Sequence, residues 1–136
     1  MSDKKKKILV NSIIIAAAAL TAVSMVYFEV VKRAKREYKE GEMHLSFHRD
    51  PALKTSHYNR LLEDNKITEP QYKLLMEDKS LKNAYIQYQT VIDLFTPPES
   101  KWVKLSRERL REIEPEYNAW VKQLNDEIQA AKKTPQ

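Results

Sequence analysis

Residues 8–28 read ILVNSIIIAAAALTAVSMVYF, a run of 21 residues without a charged side chain. A helix rises 1.5 Å per residue, so about 20 apolar residues cross the ~30 Å hydrocarbon layer of a bilayer. The run extends to Val31 if Glu29 lies among lipid headgroups. Lys4, Lys5, Lys6 and Lys7 precede it, and Lys32, Arg33, Lys35 and Arg36 follow it. Long basic side chains reach lipid phosphates, and Tyr27 and Phe28 stand at the edge, where aromatic rings favour the interface. A transmembrane helix over residues 8–31 is therefore expected, with Tyr27, Phe28, Lys32 and Arg33 as interface anchors.

Three other readings of the run compete. The remaining chain is too small to wrap a core helix that is apolar on every side. A cleavable signal peptide would use the basic residues 4–7 and a small-residue site at Ala17 and Ala19, but the apolar run continues to Phe28 and a basic stop follows. A mitochondrial transit peptide is amphipathic and rich in Arg and Ser, which this segment is not. The two flanks hold four and five Lys/Arg, so the positive-inside comparison leaves orientation open. The very short basic N-tail (residues 1–7) leans toward an N-terminus on the cytoplasmic or matrix side. Within the span, Ser12 and Ala16, Ala17 and Thr21, and Ala18 and Ala22 are each four apart. Small residues at that spacing let helix backbones approach closely in lipid, so these six are expected membrane-packing contacts.

The charge pattern supports a membrane reading over a nucleic-acid one. Residues 1–41 carry nine Lys/Arg and four Asp/Glu, which is the whole net charge of +5. Beyond them basic and acidic side chains balance at fifteen each, too even to build the field that gathers polyphosphate. Cysteine is absent, which excludes a disulfide framework, a thiolate metal site and a cysteine nucleophile. A single glycine, Gly41, excludes the Gly-rich phosphate loops.

Beyond the span the pattern predicts an all-α chain. Residues 32–41 (KRAKREYKEG) continue the helix as a juxtamembrane extension, with Gly41 as its stop. Residues 42–55 carry Asp50-Pro51 and an alternation of Met43, Leu45 and Phe47, and read as a loop or extended strap. A helical domain is expected over residues 56–131, then a flexible tail over 132–136. Ser56 is expected to cap its first short helix, which Asn65 and Lys66 break. Thr68 caps a second, with Gln71 as reciprocal partner, Pro70 in the first turn and a stripe of Tyr72, Leu75 and Met76. This stretch resembles the short helical hairpin of bacterial SHOCT domains, in its leucines leading to Ile67-Thr68 and then an acidic residue and an aromatic. Lys66 replaces the family's usual glycine and Pro70 departs from its pattern, so no function is carried across.

Ser80 is the expected cap of a third helix, with Leu81, Ala84, Tyr85, Tyr88, Val91, Ile92 and Phe95 on one stripe, stopped by Thr96-Pro97-Pro98. In the fourth segment Val103, Ser106, Leu110, Ile113, Tyr117, Trp120 and Leu124 step by three and four. That is a heptad-like seam for a core or a partner, with Ser106 its weak member and a kink or restart expected at Pro115. The third and fourth helices form the obvious antiparallel pair.

No catalytic set emerges. Acidic pairs such as Glu63-Asp64 lie on mixed-charge faces, and serines and threonines read as caps. His44 and His48 are four apart and His57 follows, the ingredients of a metal-handling reading. In an extended segment, however, His44 and His48 stand about 13 Å apart, too far for one ion. The expectation is a non-enzymatic, single-span accessory or scaffolding subunit of a larger membrane complex, in a mitochondrial or bacterial inner membrane. Its partners would be other membrane subunits and lipid, with no cofactor, nucleic acid or small-molecule substrate. The alternatives are a membrane-anchored assembly factor or regulator that recruits a soluble partner through the 103–124 seam, and a metal-handling protein.

Overall fold

The computed structural model describes residues 3–133. Among them the chain forms five helices and no strand: α1 Asp3–Arg49, α2 Pro51–Glu63, α3 Glu69–Met76, α4 Ser80–Leu94 and α5 Lys101–Lys133. The all-α architecture is as expected. The first part of α1 is long and apolar enough to cross a membrane, and every residue from Asp3 to Glu29 is exposed.

Burial begins at Ala34. Ala34, Tyr38, Gly41 and Leu45, spaced by four, three and four, form the stripe of α1 that meets α4. α4 answers with Leu81, Ala84, Tyr88 and Val91, all buried. It runs antiparallel to α1, since Tyr88 lies against Gly41 while Leu94 and Phe95 lie beside Val26 and Val30. α5 returns parallel to α1 and adds Val103, Ser106 and Ile113 to the core. The closest helix pairing is thus α1 with α4, with α4 and α5 forming the expected hairpin.

The structure corrects several boundaries. Gly41 does not end a helix; α1 runs through it to Arg49. The Cβ-less position is where the Tyr88 ring settles, and that packing offsets the ~1 kcal/mol helix penalty of glycine. Residues 42–49 are helical, not a loop, and 51–55 belong to α2. The alternation read as extended arises because Leu45 joins the core with α4, while Phe47 turns to the other side and packs on Tyr58 and His57. Asp50, not Ser56, caps α2: its carboxylate accepts from Ala52 N–H at 3.0 Å and Leu53 N–H at 3.2 Å. Asn65, at φ 54°, closes the turn after α2. Gln71 accepts from Thr68 N–H at 2.8 Å, the expected reciprocal cap of α3. No residue of α3 is fully buried; Tyr72 donates to Asn59 Oδ1 at 2.8 Å to hold it on α2.

Two further points concern the last helices. Ser80 is inside α4 and buried, with Lys79 at the cap position. α5 is uninterrupted at Pro115. Pro115 and Arg111 are both exposed, so the proline sits on the solvent-facing side of α5. Lys132 and Lys133 are still helical, and residues 134–136 of the expected tail lie outside the described residues.

Ser106, the weak member of the seam, is fully buried with no hydrogen-bond partner for its hydroxyl. A buried hydroxyl left unpaired is unfavourable, so Ser106→Ala should be neutral or stabilise by about 1 kcal/mol. A thermal melt reads this as an unchanged or raised midpoint; a clear drop would show that the hydroxyl is engaged.

Candidate functional site

The exposed apolar segment of α1 and its junction with the helical head are the features most able to carry a role. Along the segment, Thr21 donates to Ala17 O at 2.9 Å and Ser24 to Leu20 O at 2.8 Å. Their hydroxyls are thereby satisfied within the helix, as an apolar medium requires. Ser12, Ala16, Ala17, Ala18, Thr21 and Ala22 are all exposed, and no other element lies against them. At about 100° per residue the three small-residue pairs lie roughly a third of a turn apart. They ring the helix rather than line one face.

Tyr27 and Phe28 are exposed and meet edge to face, with centroids 6.0 Å apart. Arg33 donates through Nε to Glu29 at 3.0 Å one turn further on. Lys32 and Arg33 are exposed. Next along α1, Trp102 from the start of α5 packs on Tyr38 at 5.5 Å, and the ammonium groups of Lys35 and Lys101 sit 5.6 and 5.5 Å from its ring. Two cations on one indole make a basic, aromatic collar just beyond the apolar segment.

Above the collar lies a polar clamp that sequence reasoning missed. Arg109 of α5 grips Glu42 of α1 with a fork, Nε to Oε1 at 2.8 Å and Nη2 to Oε2 at 3.1 Å. The Tyr88 hydroxyl of α4 donates to the same carboxylate, so three helices meet on one side chain. Arg109 also reaches Glu112 at 2.8 Å, and Arg49 reaches Glu112 at 2.5 Å. One turn on, His48 Nε2 is 2.7 Å from Glu116 Oε1. Burial alone would raise the Glu42 pKa, but the hydrogen bonds from Arg109 and Tyr88 and the charge of Arg109 outweigh it and hold the carboxyl below its ordinary range. Burial, then the bond to Glu42, pushes the Tyr88 phenol up. With both oxygens engaged, the Glu42 carboxylate ties α1, α4 and α5 together.

The histidines do not converge. His44 is half-buried near Lys54, and burial followed by that charge lowers its pKa, keeping it neutral near pH 7. Its neighbour Lys54 is buried and donates to Glu77 O at 2.6 Å, tying α2 to the end of α3. His57 packs on Phe47 at 5.3 Å and on Tyr58 at 5.1 Å. Among the described residues no group of three His, Cys, Asp or Glu side chains is placed to hold a metal ion.

The 103–124 seam divides. Val103, Ser106 and Ile113 are buried in the head, and Leu110 is half-buried. Tyr117 stacks on Tyr85 with centroids 4.0 Å apart, and Trp120 packs on Tyr117 at 5.9 Å. Leu124 is exposed, as is Ile128 one turn further, so α5 outruns the body it packs on. Comparison with protein-family models, curated proteins and solved structures finds no match to this chain, and the likeness of residues 56–80 to the SHOCT hairpin stays one of sequence pattern.

Proposed function

We propose that this chain is a non-catalytic, single-span accessory or scaffolding subunit of a larger membrane complex, seated in a mitochondrial or bacterial inner membrane. One observation carries the reading: every residue of the apolar run from Ile8 to Phe28 is exposed, and among the described residues only Leu94 and Phe95 come beside its last turn. Water would penalise such a surface heavily, whereas lipid and neighbouring spanning helices accept it. The collar of Lys35, Lys101 and Trp102 is suited to the headgroup layer. The clamp then fixes the head to the anchor, which suits a part that holds others in place. The short basic N-tail favours a cytoplasmic or matrix N-terminus and a head on the opposite side.

On this reading the chain resists carbonate washing of membranes. After gentle detergent extraction it co-migrates on a native gel with a large assembly at fixed stoichiometry. Release by carbonate, or monodisperse behaviour in water without detergent, defeats the anchor. Migration alone in detergent defeats the permanent subunit and favours a second reading, an anchored regulator that recruits a soluble partner. The specific support for that reading is the exposure of Leu124 and Ile128 on the second half of α5.

A further inference from the structure

We propose that the turn between α4 and α5 is a second membrane contact, dipping the Leu94–Phe95 tip into the same leaflet that holds the C-terminal end of the span. The inference rests on the membrane-anchor reading and adds to it a lipid-binding surface on the head itself. Antiparallel packing brings the end of α4 back to the apolar segment, where Leu94 and Phe95 share one open groove with Met25, Val26 and Val30, bordered on the head side by the paired Glu29 and Arg33. Met25 and Val26 precede Glu29 by four and three residues, about 5 Å deeper along the helix axis. A side chain beside them is at the edge of the hydrocarbon whenever the segment spans the bilayer.

Leu94 is 70% exposed, more than any other large hydrophobic residue described outside residues 8–28. In water that exposure is unfavourable, and nothing in the head covers it. At this position the occupant that follows from continuity with the span is lipid. The surrounding charge agrees. Lys35 and Lys101 stand one step further from the span on Trp102, at phosphate height. The acids flanking the turn are occupied: Asp93 accepts from Gln89 at 3.1 Å, and Glu99 pairs with Arg107. Pro97 and Pro98 leave two positions of the turn without an N–H to satisfy, which eases its entry into a poorly hydrated layer.

The chain has no cysteine, so a single introduced thiol carries a unique spin label. Leu94→Cys, Ile14→Cys and Ile86→Cys, each at an exposed position, are labelled in the full chain and reconstituted into vesicles of phosphatidylcholine and phosphatidylglycerol. Relaxation by dissolved oxygen is compared with relaxation by a water-soluble nickel chelate. The expected oxygen-to-nickel ratio at position 94 is several-fold above that at 86 and below that at 14. If 14 reads as lipid and 94 reads like 86, the tip proposal is overturned while the anchor stands. If 14 also reads as water, the anchor falls and takes the tip with it. If 94 is shielded from both reagents in native membranes but open to nickel in vesicles, a protein partner covers it and the proposal is again overturned.

Discussion

Gly41→Leu is expected to force α1 and α4 apart, and Gly41→Ala to weaken their packing. Intrinsic propensity alone demands the opposite for alanine, which should gain about 1 kcal/mol in a helix interior. The difference is Tyr88. A Cβ at position 41 would stand 2.8 Å from its Cε1 and 3.0 Å from its Cδ1. The ring is fully buried and its hydroxyl is tied to Glu42, so it has no free direction in which to retreat. Overpacking of this kind costs about 1–3 kcal/mol and sometimes more. The net loss is therefore about 1 kcal/mol for alanine and about 3 kcal/mol or more for leucine. Near-ultraviolet circular dichroism in mild detergent follows the aromatic core while the apolar helix stays formed. A melting midpoint raised by Gly41→Ala would sink the packing argument. On a Tyr88→Leu background the alanine should become neutral or favourable, which isolates the contact as the cause.

Cutting the Glu42 fork is the second large effect. Glu42→Ala leaves the Tyr88 hydroxyl without its acceptor and takes from Arg109 two of its hydrogen bonds, leaving it the contact with Glu112. Loss of one partner from a fully buried pair costs about 3–5 kcal/mol. Both side chains here are about a third exposed, and solvent screening brings the expectation down to about 2 kcal/mol. Arg109→Ala should cost a similar amount, and the double variant less than the sum. The fork also sets an acid response. Because the folded Glu42 carboxyl is held below its usual value of 4.5, the unfolded chain binds more protons in the acid range. The fork's contribution is complete above that value and fades as the pH falls through the lower folded one. Glu42→Gln should start lower at neutral pH and lose less on acidification. Parallel acid profiles for the two proteins would show that the fork does not govern this loss.

What could be foreseen from the residues was local. The apolar run, the Thr68–Gln71 cap, the stripe of α4 and the Pro97-Pro98 stop all act within a few positions of themselves. What escaped depends on partners far along the chain. Gly41 reads as a helix end until Tyr88, 47 residues on, is seen to need the gap. Glu42 looks like one acid among many because Arg109 is 67 residues away. Leu45 and Phe47 mimic a strand because each has a different neighbour, one in α4 and one in α2. Pro115 announces a break that exposure on the solvent side makes tolerable. The small residues of the apolar segment illustrate the converse limit: their spacing is visible at once, yet it does not define one direction for a neighbour.

An unbroken α1 also acts as a ruler. From Glu29 to Arg49 the backbone climbs with a fixed pitch, so the far end of the head stands about 30 Å from the end of the apolar segment. A soluble extension on a slack tether would sample every height and bearing; this one is offered at a single altitude and compass setting. Adding one residue below Ala34 would lift the whole head by about 1.5 Å and swing it through about 100°, carrying the exposed end of α5 to another quadrant.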